Sequence, residues 1–401
     1  MPRVDAFDTP NVPIAHGFDA MWGDLAPVGR DGRSGGYRRH AWTSEDATLR
    51  EWFGGEAARR GLDLVTDRAG NQWAWWGDPD SDGPGVVLGS HLDSVPDGGA
   101  FDGPLGVVSA FAAVDALRRR GFRPSRPIAI AHFGDEEGAR FGIACAGSRI
   151  LTGALDSRPL RDVDGITMGE AAGRDLAADP ETLRRIGTFV ELHVEQGRGL
   201  ADLDRVVAVG SAIRPHGRWR LDLPGEANHA GTTLLADRSD PMLAFAEVVL
   251  AARASAERHD AVATCGKVRV APNGVNAIPS LVTAWLDARG DDEARVRTVV
   301  ADLTALVEKS GGTVTEESWT PVTAFPTGLA ARLAALLDDA PVLATGAGHD
   351  AGVLAAAGVP TAMLFVRNPT GVSHSPAEHA DLDDCRAGVD ALAAVAEELA
   401  R

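Results

Sequence analysis

The stretch GVVLGSHLDSVPDGGAFDGPLG, residues 85–106, is typical of a strand, a loop and the start of a helix in an α/β fold. Its apolar beginning, residues 86–88, predicts a strand of a buried sheet. The strand leads to His91 and Asp93, and Asp102 follows after a glycine-rich loop. A histidine and two carboxylates crowded at a strand end favour a metal site. The alternative is a polar loop with an incidental histidine.

Buried strands and helices alternate along most of the remaining chain. Strands are predicted at residues 127–133, 188–194 and 361–366, with helices between them. This alternation predicts an α/β fold with a mostly parallel sheet. Such sheets place ligand sites at the carboxyl ends of their strands. Further metal-type side chains lie at or after these strands: Glu136, Glu137, His193 and His374.

The N-terminal part of the chain precedes the first buried strand. Residues 1–60 are predicted to be helical and charged, with a helix beginning at residues 43–46, the sequence TSED. Residues 62–77 alternate around a turn at residues 69–71 and predict a β-hairpin. We assign these elements to the same domain as the first buried strand.

The middle of the chain has a different pattern. Residues 214–318 predict the order β-α-β-β-α-β, which is the ferredoxin-like pattern. Because this order is a complete unit, we expect an inserted α+β domain at residues 211–323. The remaining residues, 1–210 and 324–401, then form one discontinuous catalytic domain.

Composition and charge exclude several classes of function. The chain has 401 residues and a formal net charge of −18, and its length predicts more than one domain. The acidic balance argues against nucleic acid, for which a basic stripe is expected, and against an anionic membrane surface. Three scattered cysteines favour a reducing compartment. With no signal pattern and no apolar run near the ~18 residues of a membrane span, we expect a cytoplasmic protein.

The number of metal-type ligands predicts two metal ions rather than one. Mixed histidine and carboxylate ligands without cysteine suit Zn²⁺, Mn²⁺, Co²⁺ or Ni²⁺. The candidates exceed the three protein ligands of a usual catalytic zinc site. Two ions roughly 3.5–4 Å apart, bridged by one carboxylate, would account for the number.

Adjacent carboxylates require different roles. Consecutive side chains at the end of a strand point in different directions, so one of Glu136 and Glu137 can bind metal while the other acts as a general base. Asp93 lies two residues after His91. It is therefore a natural partner that fixes the imidazole tautomer.

Seven motifs together resemble the M20 metallopeptidase-like family. In chain order they are GSHLDSVPDGGAFDG, GDEEGARF, ELHVEQG, EANHAGTT, PNGVNAIP, GAGHDAG and GVSHSPAE. The resemblance is to the amidohydrolase branch of the family, which contains allantoate amidohydrolase, N-carbamoyl-L-amino acid hydrolase and β-ureidopropionase. It covers roughly residues 85–380.

The resemblance implies a role for each metal-type residue. Asp102 would bridge both metals, His91 and His193 would complete one site, and Glu137 and His374 would complete the other. Glu136 resembles the general base, and Asp93 the carboxylate that orients His91. The family also implies two divalent metal ions per subunit and a homodimer built through the inserted domain, which would close over the substrate.

The inserted domain is expected to supply the substrate contacts. His229 resembles the family's carbonyl-polarising histidine, which stabilises a tetrahedral intermediate. Asn276 and Arg289 resemble residues that hold a substrate carboxylate, for which arginine is suited by its bidentate fork. They could also be a turn residue and a surface charge. His216 lies where relatives also carry a polar side chain. Outside this domain, Gln196 resembles the family's polar contact next to His193.

One departure from the family pattern lies in the motif that contains His229. Relatives usually have GTTPM, and this chain has GTTLL at residues 231–235. The missing proline should alter loop stiffness more than chemistry.

These features predict a metal-dependent amidohydrolase that acts on a small ureido carboxylate, with allantoate as first choice. The alternatives on the same scaffold are an N-carbamoyl-L-amino acid hydrolase, a β-ureidopropionase and a hydrolase of N-formyl amino acids. A peptidase of the wider family and a catalytically inactive binding protein are less favoured, because the motifs match the amidohydrolase branch and the ligand set is complete.

Three further residues could be mistaken for ligands or nucleophiles. His132 lies inside an apolar strand and is expected in the core. His349 is expected either to support the active site or to act in it. Cys145 has no Cys/His signature around it and is expected to be a small packed side chain.

Overall fold

The computed structural model describes residues 17–401. The helices are α1 Phe18–Leu25, α2 Ser44–Arg59, α3 Pro104–Arg119, α4 Ala146–Leu151, α5 Met168–Ala172, α6 Pro180–Arg184, α7 Gly199–Asp202, α8 Pro241–His259, α9 Glu293–Lys309, α10 Thr327–Leu336, α11 Asp350–Ala356 and α12 Leu382–Leu399. The strands are β1 Asp63–Thr66, β2 Gln72–Trp76, β3 Gly85–His91, β4 Ile128–Phe133, β5 Ile186–Val194, β6 Val207–Ile213, β7 His216–Pro224, β8 Asn228–His229, β9 Ala261–Ala271, β10 Ala277–Ile278, β11 Leu281–Gly290, β12 Thr313–Thr320, β13 Thr323–Ala324, β14 Val342–Thr345 and β15 Thr361–Val366. None of these helices is long and apolar enough to span a membrane.

The helical prediction for residues 1–60 is confirmed in part. Residues 1–16 lie outside the described residues. Helix α2 begins where expected, because the Thr43 side chain accepts a hydrogen bond from the backbone N–H of Asp46. Between α1 and α2 the prediction is wrong, since residues 26–43 form turns and bridges. Proline and several glycines disfavour a helix there.

The backbone divides into two compact units. The first ends at Ser211 and resumes from Ala324 to Arg401, and the second runs from Ala212 to Thr323. Each unit has its own sheet and its own hydrophobic core.

The first unit is built on one large mixed sheet. Its strands follow the order β1-β2-β4-β3-β5-β15-β6. The central strands β4, β3, β5 and β15 are parallel, whereas β2 and β6 flank them in antiparallel orientation. Strands β1 and β2 form the predicted hairpin. The predicted α/β fold with a mostly parallel central sheet is confirmed.

Helix α3 anchors the loop that carries Asp102. The helix begins at Pro104, two residues after Asp102, and is buried along most of its length. It packs against β3 on one side and α12 on another. Because both ends of the intervening loop are tied to the core, Asp102 is held close to the end of β3.

The second unit is an antiparallel sheet with two helices. Along the chain its elements follow the order β7-α8-β9-β11-α9-β12, and the sheet order is β12-β7-β11-β9. The chain order corresponds to the ferredoxin-like β-α-β-β-α-β pattern. Its core is formed by apolar residues of the sheet and the helices, including Leu221, Val282, Leu286, Val299 and Leu303. Strands β8 and β10 pair with each other separately.

Candidate metal centre

The metal-type residues meet because they lie at the carboxyl ends of adjacent parallel strands. His91 is the last residue of β3, and His193 lies near the end of β5. Glu136 and Glu137 follow β4, and His374 lies in the loop after β15. Since β4, β3, β5 and β15 are neighbours in this order, their carboxyl ends form one edge of the sheet.

The first group of ligands contains His91, Asp102 and His193. Their ligand atoms all lie within 4.8 Å of one another. The Asp102 Oδ1 atom is 3.5 Å from His91 Nε2 and 3.1 Å from His193 Nε2. All three residues are buried.

The second group contains Asp102, Glu137 and His374. Its ligand atoms also lie within 4.8 Å of one another. His374 Nε2 is 3.4 Å from Asp102 Oδ2 and 3.6 Å from Glu137 Oε2. Asp102 therefore belongs to both groups, with one carboxylate oxygen facing each. The family resemblance implied a bridging role for Asp102, and that role stays a prediction.

The first group fits a divalent cation. The Nδ1 atoms of His91 and His193 face backbone carbonyl oxygens at 3.1 and 2.9 Å. A carbonyl only accepts, so both Nδ1 atoms carry a proton, and in the neutral rings both Nε2 atoms are acceptors. Within the described chain these buried Nε2 atoms have no hydrogen bond of acceptable geometry. Two acceptor nitrogens that face a carboxylate oxygen repel it, because all three atoms carry lone pairs. A cation between the nitrogens and the oxygen would remove this repulsion.

The electrostatics of the site also favour positive charge. Burial opposes ionisation of Asp102, but His193, His374 and His91 outweigh it and hold the pKa of Asp102 well below its ordinary value. Burial likewise opposes protonation of His91, but Glu136, Asp102 and Asp93 raise the pKa of His91 well above its ordinary value. The site therefore attracts cations.

Asp93 connects β3 to the loop after β4. Its carboxylate accepts hydrogen bonds from the backbone N–H groups of Glu136, at 3.1 Å, and Glu137, at 3.0 Å. The predicted contact with the His91 ring is longer, at 3.5 Å between Oδ1 and Nδ1. The nearer partner of His91 Nδ1 is the backbone carbonyl of Asp93. Asp93 thus orients both glutamates as well as the imidazole.

The two glutamates lie in different environments. Glu136 is buried, and its Oε2 atom is 3.7 Å from His91 Nε2. Glu137 instead faces Asp102 and His374. Burial raises the pKa of Glu136 well above its ordinary value and the pKa of Glu137 to about 7. The adjacent side chains therefore point to different partners, as a division between ligand and base requires.

Gly103 allows the Asp102 loop to approach His91. Its φ is +83°, and a Cβ at this position would overlap the His91 ring. The residue after Asp102 therefore has to be a glycine.

Several residues near the site were not predicted to contact it. The Cys145 thiol donates to Glu136 Oε1 at 3.3 Å, so Cys145 contacts the candidate base rather than only filling space. Ser373 and Glu378 contact Asp102. The only sequence indication for these two was their place in the motif GVSHSPAE beside His374.

Other predicted residues have clear positions. The Gln196 amide donates to Asp102 Oδ2 at 2.8 Å. His349 packs on His193 with ring centroids 4.5 Å apart and joins it and Glu191 in a third group of ligand-type atoms. His132 is buried in β4 and lies 3.0 Å from Gln72 Oε1, so it is a core histidine.

The second unit brings its predicted residues together in two pairs. His229 and Asn276 are close, since Ala230 N–H donates to the backbone oxygen of Asn276. His216 and Arg289 lie opposite each other on β7 and β11. Arg289 also donates to both oxygens of Asp287, at 2.7 and 2.9 Å.

The His229 tautomer is set by its own loop. The backbone N–H of Gly231 donates to His229 Nδ1 at 2.9 Å. Nδ1 is therefore an acceptor, and in the neutral ring Nε2 carries the proton. The Nε2–H group can act as a hydrogen-bond donor from this exposed position.

A fold of this kind, with one carboxylate shared between two ligand groups, is typical of hydrolases that use a pair of divalent metal ions. Comparison with known proteins identifies the family. The profile of the peptidase family M20/M25/M40 matches residues 87–398, and the chain belongs to this family.

Two curated relatives and one solved structure are similar over nearly the whole chain. The chain is 36% identical to an N-carbamoyl-L-amino acid amidohydrolase of Geobacillus stearothermophilus, over 93% of this chain and 96% of the relative. It is 32% identical to allantoate amidohydrolase of Escherichia coli K12, over 94% and 96%. The crystal structure of AtUAH in complex with (S)-hydroxyglycine superposes with a TM-score of 0.87 at 28% identity, over 96% and 97%. The predicted family and the predicted enzyme class, a hydrolase of non-peptide C–N bonds, are confirmed.

Proposed function

We propose that this protein is a two-metal amidohydrolase that removes the carbamoyl group from a small ureido carboxylate, with allantoate as the first substrate to test. The observation that carries the proposal is the shared carboxylate of Asp102, which faces one ligand group with each oxygen. The names of the relatives support the ureido substrate class.

The residues present fit two divalent ions, with Mn²⁺ or Zn²⁺ favoured and Co²⁺ or Ni²⁺ as alternatives. One position would be held by His91, Asp102 and His193, and the other by Asp102, Glu137 and His374. Two such ions, when bound, make water nucleophilic at neutral pH and polarise a carbonyl oxygen.

The chain's own side chains move the proton. Glu136 takes a proton from water as the water oxygen bonds to the carbamoyl carbon, and it then gives that proton to the leaving nitrogen. The C–N bond breaks, and the carbamate that is released decomposes to ammonia and carbon dioxide. Burial of Glu136 and its contact with Cys145 keep its carboxyl in one place.

The substrate contacts proposed for the remaining residues follow their chemistry. His229 would donate from Nε2 to the carbonyl oxygen, because Gly231 fixes the tautomer. Asn276 and Arg289 would hold the substrate carboxylate, with Gln196 and His216 as further polar contacts. For Arg289 this requires the guanidinium to share or exchange its present partner Asp287.

A second candidate is an N-carbamoyl-L-amino acid hydrolase. The observation that favours it is the 36% identity to the Geobacillus stearothermophilus enzyme, against 32% for the allantoate enzyme. Both substrates place a carbamoyl group near a carboxylate, so the same residues serve either reaction. β-Ureidopropionate, which has the same two groups, and N-formyl amino acids, which carry a formyl group in place of the carbamoyl group, remain alternatives.

A product assay separates these substrates. Mn²⁺-loaded enzyme is incubated with allantoate, ureidoglycolate, N-carbamoyl-L-amino acids, β-ureidopropionate and N-formyl amino acids, and ammonia and formate are measured. We expect ammonia from allantoate at the highest kcat/KM. A higher kcat/KM on an N-carbamoyl amino acid would select the second candidate. Formate release without ammonia would contradict carbamoyl hydrolysis.

We also propose that the protein forms a homodimer through its second unit. Helix α8 exposes Leu243 (68%) and Leu250 (73%) one above the other, seven residues apart. Strand β9 is at the edge of the sheet and exposes Val262 and Val268. An 11-residue edge strand beside an apolar helix face favours pairing with another chain. The partner we propose is a second copy.

The double variant in which both Leu243 and Leu250 are changed to glutamate is expected to be a monomer, because the new charges would be buried in the interface. Multi-angle light scattering after size exclusion gives the mass. Val163→Glu, at a site that is 92% exposed in the first unit, is the control and should remain dimeric. A wild-type monomer, or a double variant that still dimerises, would contradict this interface.

A further inference from the structure

Glu378 holds the backbone of the residue that both ligand groups share. The side chain is buried, with Glu378 only 6% exposed. Its Oε1 atom accepts hydrogen bonds from the backbone N–H groups of Phe101, at 2.8 Å, and Asp102, at 3.0 Å. A buried carboxylate that accepts two amide hydrogen bonds fixes the position of both peptide groups. Glu378 therefore adds to the anchoring by α3 and fixes the main chain at Asp102.

The other oxygen of Glu378 reaches the Asp102 side chain through Ser373. The Ser373 hydroxyl is 3.2 Å from Glu378 Oε2 and 3.2 Å from Asp102 Oδ2. It also accepts a hydrogen bond from the Gln196 amide at 3.0 Å. The main chain and the carboxylate of Asp102 are thus held by one hydrogen-bond network, which includes Glu378 and Ser373.

Gly99 allows the loop that carries Asp102 to pass directly against Glu378 in the loop that carries His374. A Cβ at Gly99 would overlap the carboxylate and the Cβ of Glu378. The glycine is therefore needed for the loop to pass directly against the glutamate. Its φ is not in the left-handed region, so close approach and not backbone conformation explains this glycine.

The position of Glu378 in the chain decides which ligand group depends on it. Glu378 follows His374 by four residues in the same loop. It thereby ties the loop of His374 to the loop of Asp102. His91 and His193 instead lie within β3 and β5, which are held by the sheet.

We infer that Glu378 is a positioning residue that fixes Asp102 relative to His374 and thereby forms the second metal position. The inference rests on the proposed two-metal function. Partners that orient metal ligands contribute about 10- to 100-fold to metal affinity. Loss of Glu378 should therefore weaken the position of Asp102, Glu137 and His374 far more than the position of His91, Asp102 and His193, where the sheet holds two of the three ligands.

The test is a Mn²⁺ titration of the full-length apoprotein, in which calorimetry measures the affinities. Metal analysis after desalting gives the number of bound equivalents. Wild type is expected to take up two equivalents. Glu378→Ala should keep one tight equivalent and bind the second about 10- to 100-fold more weakly. Glu378→Gln keeps an oxygen for the two amides and should recover most of this affinity.

Asp179→Ala is the matched control. Asp179 is also a buried carboxylate that joins two segments, since it accepts backbone N–H groups of Arg68 and Thr182 at 3.2 and 3.1 Å. Neither Arg68 nor Thr182 is a candidate ligand. Its loss should lower stability without changing the number of Mn²⁺ equivalents.

The outcomes separate the inference from the proposed function. If wild type binds fewer than two equivalents, the two-metal proposal is wrong. If wild type binds two and Glu378→Ala binds both with unchanged affinity, only the role of Glu378 is overturned.

Should circular dichroism show that Glu378→Ala is unfolded, Gly99→Ala replaces it, because the added methyl displaces the Glu378 carboxylate. Unchanged binding of both ions by Gly99→Ala would equally overturn the role.

Discussion

Glu136→Gln is expected to lower kcat by about 10²- to 10⁴-fold while both metal equivalents are retained. Glutamine has the size and shape of the buried glutamate and can still accept the hydrogen bond that Cys145 donates to Oε1. It cannot take a proton from water or return one to the leaving nitrogen. The change therefore removes the proposed proton transfer and little else.

Steady-state kinetics on the best substrate, together with metal analysis of the desalted variant, check this result. Glu195→Gln is the matched control. Glu195 follows His193 by two residues, but its oxygens accept hydrogen bonds from the backbone N–H groups of Gly199 and Leu200 at 2.6 and 2.9 Å. We expect kcat of the control to stay near wild type. A near-normal kcat for Glu136→Gln would mean that another residue is the base. Loss of a metal equivalent would mean that Glu136 is a metal ligand.

Asp102→Asn is expected to lower the metal content from two equivalents to less than one and to abolish turnover. Asparagine replaces one carboxylate oxygen with an NH₂ group and removes the negative charge. Because Asp102 Oδ1 faces His91 and His193 while Oδ2 faces His374, both positions lose a charged ligand.

Single-site variants make the prediction specific. His374→Ala should lose only the second equivalent, and His91→Ala should weaken only the first, because each histidine belongs to one group. Metal analysis after desalting gives the stoichiometry, and circular dichroism confirms the fold. If Asp102→Asn kept one equivalent at wild-type affinity, Asp102 would belong to a single position.

The strands that carry the ligands could be predicted from local sequence. Strands β3, β4 and β15 each contain an apolar run because they are buried in the interior of the sheet. The residues that follow such strands lie at one edge, so the sequence indicated that His91, Glu137 and His374 would meet. Which residue is shared and which is the base came from the family resemblance.

The N-terminal error has a local physical cause. Residues 26–43 contain one proline and several glycines, which lower helix propensity. The charged composition of the flanking segments does not compensate for this. Helix α2 was placed correctly because its cap residue, Thr43, is recognisable from sequence.

The sequence by itself determined the α/β class, the ligand types and their order along the chain, because burial periodicity and residue chemistry are local properties. Only the tertiary structure decided that each oxygen of Asp102 faces a different ligand group, that Cys145 contacts Glu136 and that Glu378 holds the Asp102 backbone. The contact of Glu378 joins residues 276 positions apart. Such contacts depend on how loops from different strands pack, which no local pattern specifies.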